Sequence, residues 1–142
     1  MKLSQKIITT VLLSANILLM FMNWFGGYEG VQEIRGTIVL ASPVTIICIA
    51  LILIGLWVKK AEKIFHMCVY GGFTGIIGTE IYYFFTWYKD TISLNSGLIK
   101  SIHMVQPVFY VGLIFAIASL VTVVLFGYCQ YKQEERQNTV SE

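Results

Sequence analysis

Four stretches of the chain are apolar over about the length of a membrane-spanning helix, with short polar stretches between them. They run from Lys6 to Phe25, Thr37 to Val58, Ile64 to Tyr88 and Val105 to Tyr128, each near or above the ~20 residues that cross a bilayer. The intervening segments are a Gly-rich loop, "GGYEGVQEIRG", a tight turn, "KKAEK", and a longer loop, "KDTISLNSGLIKSIH". This pattern predicts an all-α integral membrane protein, a four-transmembrane-helix antiparallel bundle in one domain spanning 1–142. Its helices are expected at 6–25, 37–58, 64–88 and 105–128, with a short cytoplasmic tail at 132–142.

Composition agrees with the pattern. The chain is 56% hydrophobic and 13% charged, with a mean hydropathy of +0.72, well outside the range of ordinary soluble domains. Lys2 and Lys6 ahead of the first window resemble a signal peptide, but "LLMFMNWFGGYEG" has no small-x-small cleavage site. A retained helix is therefore expected. Orientation follows from the flanking cations. Lys2, Lys6, Lys59, Lys60, Lys63, Lys132 and Arg136 lie on one side, against Arg35, Lys89 and Lys100 on the other. That bias predicts an N-in/C-in arrangement in the cell membrane, with both termini cytoplasmic. The net charge of +2 is not gathered into a basic cluster, so nucleic acid is not an expected partner.

Candidate chemistry is sparse. Cys48 and Cys68 fall inside predicted helices and Cys129 at the cytoplasmic end of the last one, so no thiol pair is expected on the oxidising side. His66 and His103 lie at opposite ends of their helices, nearly a membrane apart at ~1.5 Å per residue, and cannot share a haem iron. There is no phosphate-binding Gly loop, no HExxH and no Ser/His/Asp set at one level. No catalytic residue, metal or cofactor is expected, and the reading is non-enzymatic.

The stretch "GGFTGIIGTEIYYFFTWY" carries more. Gly71, Gly75 and Gly78 recur on one helical face, where small residues let another backbone approach. Gly112, Ala116 and Ser119 form a matching stripe on the fourth helix, and the two stripes are expected to make the closest helix contact. A homo-oligomer through the glycine face is the other use of such a pattern. Glu80 lies almost opposite the glycines, on the side of Val69, Phe73, Ile76, Tyr83 and Trp87. An acid near mid-bilayer costs ~2.5 to 3.5 kcal/mol even on a lenient insertion scale, so Glu80 should face the interior, a cleft or a partner.

At about the depth of Glu80 the other helices offer Asn23, Ser42, Thr45 and Tyr110, with Gln106 a turn higher and Arg35 in the first outer loop. Pro43 and Pro107 also fall in the outer halves. Together these predict a polar recess open to the outer face and centred on Glu80. The structural alternative is that Glu80 bonds to a Tyr or Asn and only fixes helix register. Trp24, Tyr28, Trp87 and Tyr88 are read as an outer aromatic belt, and Trp57, Tyr128 and Tyr131 as an inner one. The functional expectation is a small multi-pass protein that binds a partner membrane protein, peptide or small ligand at its outer face, as an accessory subunit or immunity-type protein would. The alternative is an oligomeric small channel or transporter with Glu80 as its cation or proton site. A conduction path needs polar groups at every depth, and below Glu80 the sequence offers few.

Overall fold

The computed structural model describes residues 3–27, 31–58, 62–90 and 102–140. Among them five helices carry most of the chain: α1 (Leu3–Leu19), α2 (Thr37–Leu40), α3 (Pro43–Trp57), α4 (Glu62–Thr86) and α5 (Pro107–Val140). Two short strands, β1 (Asn23–Phe25) and β2 (Ile34–Arg35), and a 3-10 turn at Trp87–Asp90 complete the elements used below. The protein is thus mostly helical. One stretch of α5, Pro107–Lys132, is long and apolar enough to cross a membrane, while α1 and α3 are apolar but shorter.

Three of the four expected helices end or break where the backbone has another partner. α1 stops at Leu19 rather than Phe25. Phe21 N–H and Met22 N–H bond back three residues, to Leu18 (3.1 Å) and Leu19 (3.2 Å), which tightens the last turn. The indole N–H of Trp24 then caps the helix by donating to the carbonyl of Leu19 at 2.9 Å. The helix expected over 37–58 is interrupted at Ala41 and Ser42. Pro43 cannot donate into a preceding turn and holds Ser42 extended (φ −62, ψ 131), so α3 begins afresh with Pro43 at its start. α4 gives way to the 3-10 turn after Thr86. α5 begins at Pro107 and continues through the expected tail to Val140.

The Gly-rich segment is a ribbon rather than a plain loop. β1 and β2 pair antiparallel, with Asn23 opposite Arg35 and Phe25 opposite Ile34, and an irregularity between Asn23 and Phe25. Gly26 and Gly27 turn the chain at φ +78 and +82, a conformation that side chains disfavour. A Cβ on Gly26 would also collide with the carbonyl of Gln32. The other edge of β1 is taken by the residues ahead of α5. Gly26 N–H donates to Met104 O (2.9 Å) and Gln106 N–H to Trp24 O (2.8 Å), with Phe25 bridged to Val105.

The long helices run antiparallel to their neighbours, as their contacts show. Gly75 lies against Cys48 and Gly72 against Ile52, joining α4 to α3. Phe84 stacks on Phe109 at 5.4 Å, joining α4 to α5. The amide of Gln130 donates to that of Gln5 at 2.9 Å, joining α5 to α1. The core between them holds Leu13, Ile52, Leu56, Val69, Phe73, Ile76 and Val123, all essentially buried. Helix hydroxyls mostly bond within their own helix. Thr9, Thr10, Thr74, Thr79, Thr86, Ser119 and Thr122 each donate to the carbonyl four residues back, which meets their need for a partner without water.

The expected glycine contact is corrected by this packing. A Cβ on Gly71 or Gly78 would meet nothing within 4 Å, whereas one on Gly72 or Gly75 would strike α3. The tight neighbour of α4 is therefore α3, through Gly72 and Gly75, and Gly71 and Gly78 lie on its outer side. On α5 the stripe Gly112, Ala116 and Ser119 is buried, but Gly112 makes room for Trp24, whose ring a Cβ would approach to 3.1 Å.

Candidate functional site

Part of the polar set expected around Glu80 lines one pocket instead. An open pocket of about 400 Å³ is lined by Phe21, Met22, Asn23, Glu33, Arg35, Gln106 and Val108. The ribbon supplies its polar side. Glu33 immediately precedes β2 and lines the pocket with Arg35, and pairing sets Asn23 of β1 opposite Arg35. Asn23 donates its amide to the Glu33 carboxylate. Gln106, at the mouth of α5, donates its amide to the carbonyl of Gly26 at 2.8 Å, which ties the helix entry to the ribbon turn. Glu33 and Arg35 are exposed. The recess thus presents a carboxylate, a guanidinium and two amides on a backbone held on both edges.

Of the residues predicted for the recess, Asn23, Arg35 and Gln106 are brought together, and Glu80, Ser42, Thr45 and Tyr110 are not among its lining. Glu80 and Thr45 are completely buried and Ser42 is 8% exposed at the start of α3. Tyr110 is 42% exposed and meets Phe84 edge-on. A recess centred on Glu80 is therefore corrected: the acid lies deeper, inside the helices. Glu33 escaped the sequence reading, although the alternation in "EIR" signals two charges on one strand face.

Aromatic packing lies between the two regions. Phe25 stacks on Trp87 at 5.3 Å, Trp24 meets Phe109 edge-on at 5.3 Å, and Phe84 stacks on Phe109. Trp24 and Trp87 are 0% and 1% exposed, so they are core residues and not members of an outer belt. Tyr28 lies outside the described residues. Trp57, Tyr128 and Tyr131 are exposed.

Beneath this layer, Glu80 keeps the side foreseen for it, with Val69, Phe73, Ile76 and Trp87 all buried alongside. The alternative, a hydrogen bond from Glu80 to a Tyr or Asn, is not made: among the described residues neither carboxylate oxygen has a partner. Asn16, 1% exposed, and Thr45 are likewise buried with their polar side-chain atoms unmet. Thr45 differs from the other threonines because Ala41, four residues back, precedes the start of α3. Comparison with protein-family models, with curated proteins and with solved structures finds no match.

Proposed function

We propose that the protein is a four-span bundle in the cell membrane, with both termini cytoplasmic, and that it acts as a non-enzymatic binding protein through its outer recess. The spanning reading is supported by the apolar outer faces of all four long helices. Val11 and Leu18 on α1, Val44 and Ile47 on α3, Met67 and Phe85 on α4, and Ile114 and Val121 on α5 are all well exposed. In water such continuous apolar faces would be a liability, and in lipid they are the required surface. α1 and α3 span as short helices with the bilayer thinned beside them, and α4 completes the set by turning Glu80 inward.

The observation that carries the binding role is the recess itself. Asn23, Glu33 and Arg35 belong to the hydrogen-bonded ribbon and Gln106 bonds to its turn, at the end of a molecule whose sides are apolar. A guanidinium and a carboxylate about one strand pitch apart suit a partner that presents both signs or a run of peptide groups. A peptide segment of a membrane-protein partner fits that chemistry. A conduction path has less support, because Glu80 is enclosed beneath the aromatic layer.

A photo-crosslinking amino acid at Met22, exposed in the recess wall, tests the role in cells. A discrete protein adduct is expected, lost in Arg35→Ala and retained in Arg35→Lys at reduced yield, with unchanged thermal stability. Crosslinks to lipid alone, or an adduct indifferent to Arg35→Ala, would refute the binding role.

A further inference from the structure

Three helices each contribute one buried polar side chain left without a partner among the described residues: Nδ2 and Oδ1 of Asn16 on α1, Oγ1 of Thr45 on α3, and both carboxylate oxygens of Glu80 on α4. Folded proteins rarely leave such groups unmet, because the water they gave up was worth a hydrogen bond each. That three do so, while neighbouring hydroxyls bond to their own helices, marks them as a set.

The helix registers bring the set together. Contacts of Cys48 with Gly75 and of Ile52 with Gly72 extrapolate to put Thr45 beside residues 78 and 79, within one turn of Glu80. Phe84 on Phe109, with Tyr70 against Gly127, puts Glu80 level with the stretch around Ile114. Gln5 with Gln130, and Trp24 against Gly112, put Asn16 level with Ser119. Thr45 and Glu80 therefore fall within about one helical turn in height, with Asn16 about a turn and a half from Glu80, ~8 Å, and all three are on buried faces.

Their donors are a carboxylate, an amide carbonyl and a hydroxyl, hard oxygens that suit alkali and alkaline-earth ions rather than transition metals. Charge then narrows the choice. Glu80 is the one charged side chain buried among the described residues, so a single positive charge makes the set neutral. A divalent ion would leave an uncompensated charge in the interior. We propose that Glu80, Asn16 and Thr45 bind one monovalent cation of sodium or potassium size inside the protein. The ion draws the three oxygens together, and the amide N–H of Asn16 is then free to donate to the second carboxylate oxygen. The site shares no residue with the recess and does not rest on the recess reading.

Thermal unfolding of the full chain, purified in detergent, is the test, followed in sodium, potassium or N-methylglucamine chloride at equal ionic strength. Sodium or potassium is expected to raise Tm saturably, by ~5 °C, because a ligand of the folded state alone stabilises it by mass action. N-methylglucamine, too large to enter, should give no rise. Glu80→Gln should abolish the cation response, and Thr45→Val should move its midpoint to about tenfold higher cation, as the loss of one ligand implies. Equal Tm values in all three salts would overturn the proposal and point to protonated or water-bridged groups instead. So would a response preferring calcium, or one that survives Glu80→Gln. Should Glu80→Gln fail to fold, Thr45→Val decides, because an unchanged midpoint removes the site. Arg35→Ala should leave the titration unaltered.

Discussion

Two glycines of α4 separate close packing from mere helix composition. A Cβ on Gly75 would run into the Cys48 sulfur, and one on Gly72 would come within 2.8 Å of the Cys48 carbonyl. Overpacking of this kind costs ~1 to 3 kcal/mol. Gly72→Ala and Gly75→Leu are therefore expected to lower detergent Tm clearly. Gly71→Ala and Gly78→Ala meet open space and replace a poor helix former, so they should be neutral or stabilising by up to ~1 kcal/mol. Equal losses at all four positions would contradict the α3 contact. The sequence periodicity found the small residues but not their partner. Gly71, Gly75 and Gly78 share one face at helical spacing, yet Gly72 at the edge of that face is the one the neighbouring backbone requires. Which edge is used depends on how α3 is displaced by the break at Pro43, and that is a long-range fact. The burial of Glu80 was readable, because the cost of exposing an acid to lipid is a one-body argument. Its lack of a partner was not, since that depends on three helix registers at once.

The ribbon, with the residues ahead of α5, explains where element-level reading fell short. A window of hydropathy cannot distinguish an apolar strand from the last turn of a helix, so hydropathy alone extends the first span over Asn23 to Phe25. Its pairing partners lie at 34–35 and 104–106, far away in sequence. Trp24 holds this junction: it closes α1 through Leu19 and packs on Phe109. Trp24→Phe keeps most of the ring contact and loses the indole donor, at an expected ~1 kcal/mol or somewhat more. Trp24→Leu also empties part of a fully buried site, with ~3 kcal/mol or more expected from large-to-small changes in cores. Thermal unfolding in detergent would order them wild type, Phe, Leu. A reversed order would show that Trp24 is replaceable filling.

For the whole molecule, the proposed orientation puts the ribbon outside and the exposed end of α5 inside. Single cysteines at Gln32 and Lys132, both exposed, in a chain lacking Cys48, Cys68 and Cys129, would report it. An impermeant thiol reagent applied to intact cells is expected to label Gln32→Cys and to label Lys132→Cys only after lysis. The opposite pattern would invert the topology and move the recess to the cytoplasmic side.

In the proposed four-span arrangement, the unequal helix lengths have a further consequence for the surrounding lipid. At ~1.5 Å per residue, the 17 residues of α1 and the 15 of α3 reach only ~26 and ~23 Å, against a hydrocarbon layer of ~30 Å. The apolar stretch of α5, Pro107–Lys132, has 26 residues and at ~39 Å exceeds it. A bilayer cannot match both. It must thin beside the short helices, or the long one must tilt, at a cost that grows with each ångström of mismatch. The protein should therefore be most at ease among short acyl chains and, in a cell with membranes of differing thickness, should drift toward the thinner ones.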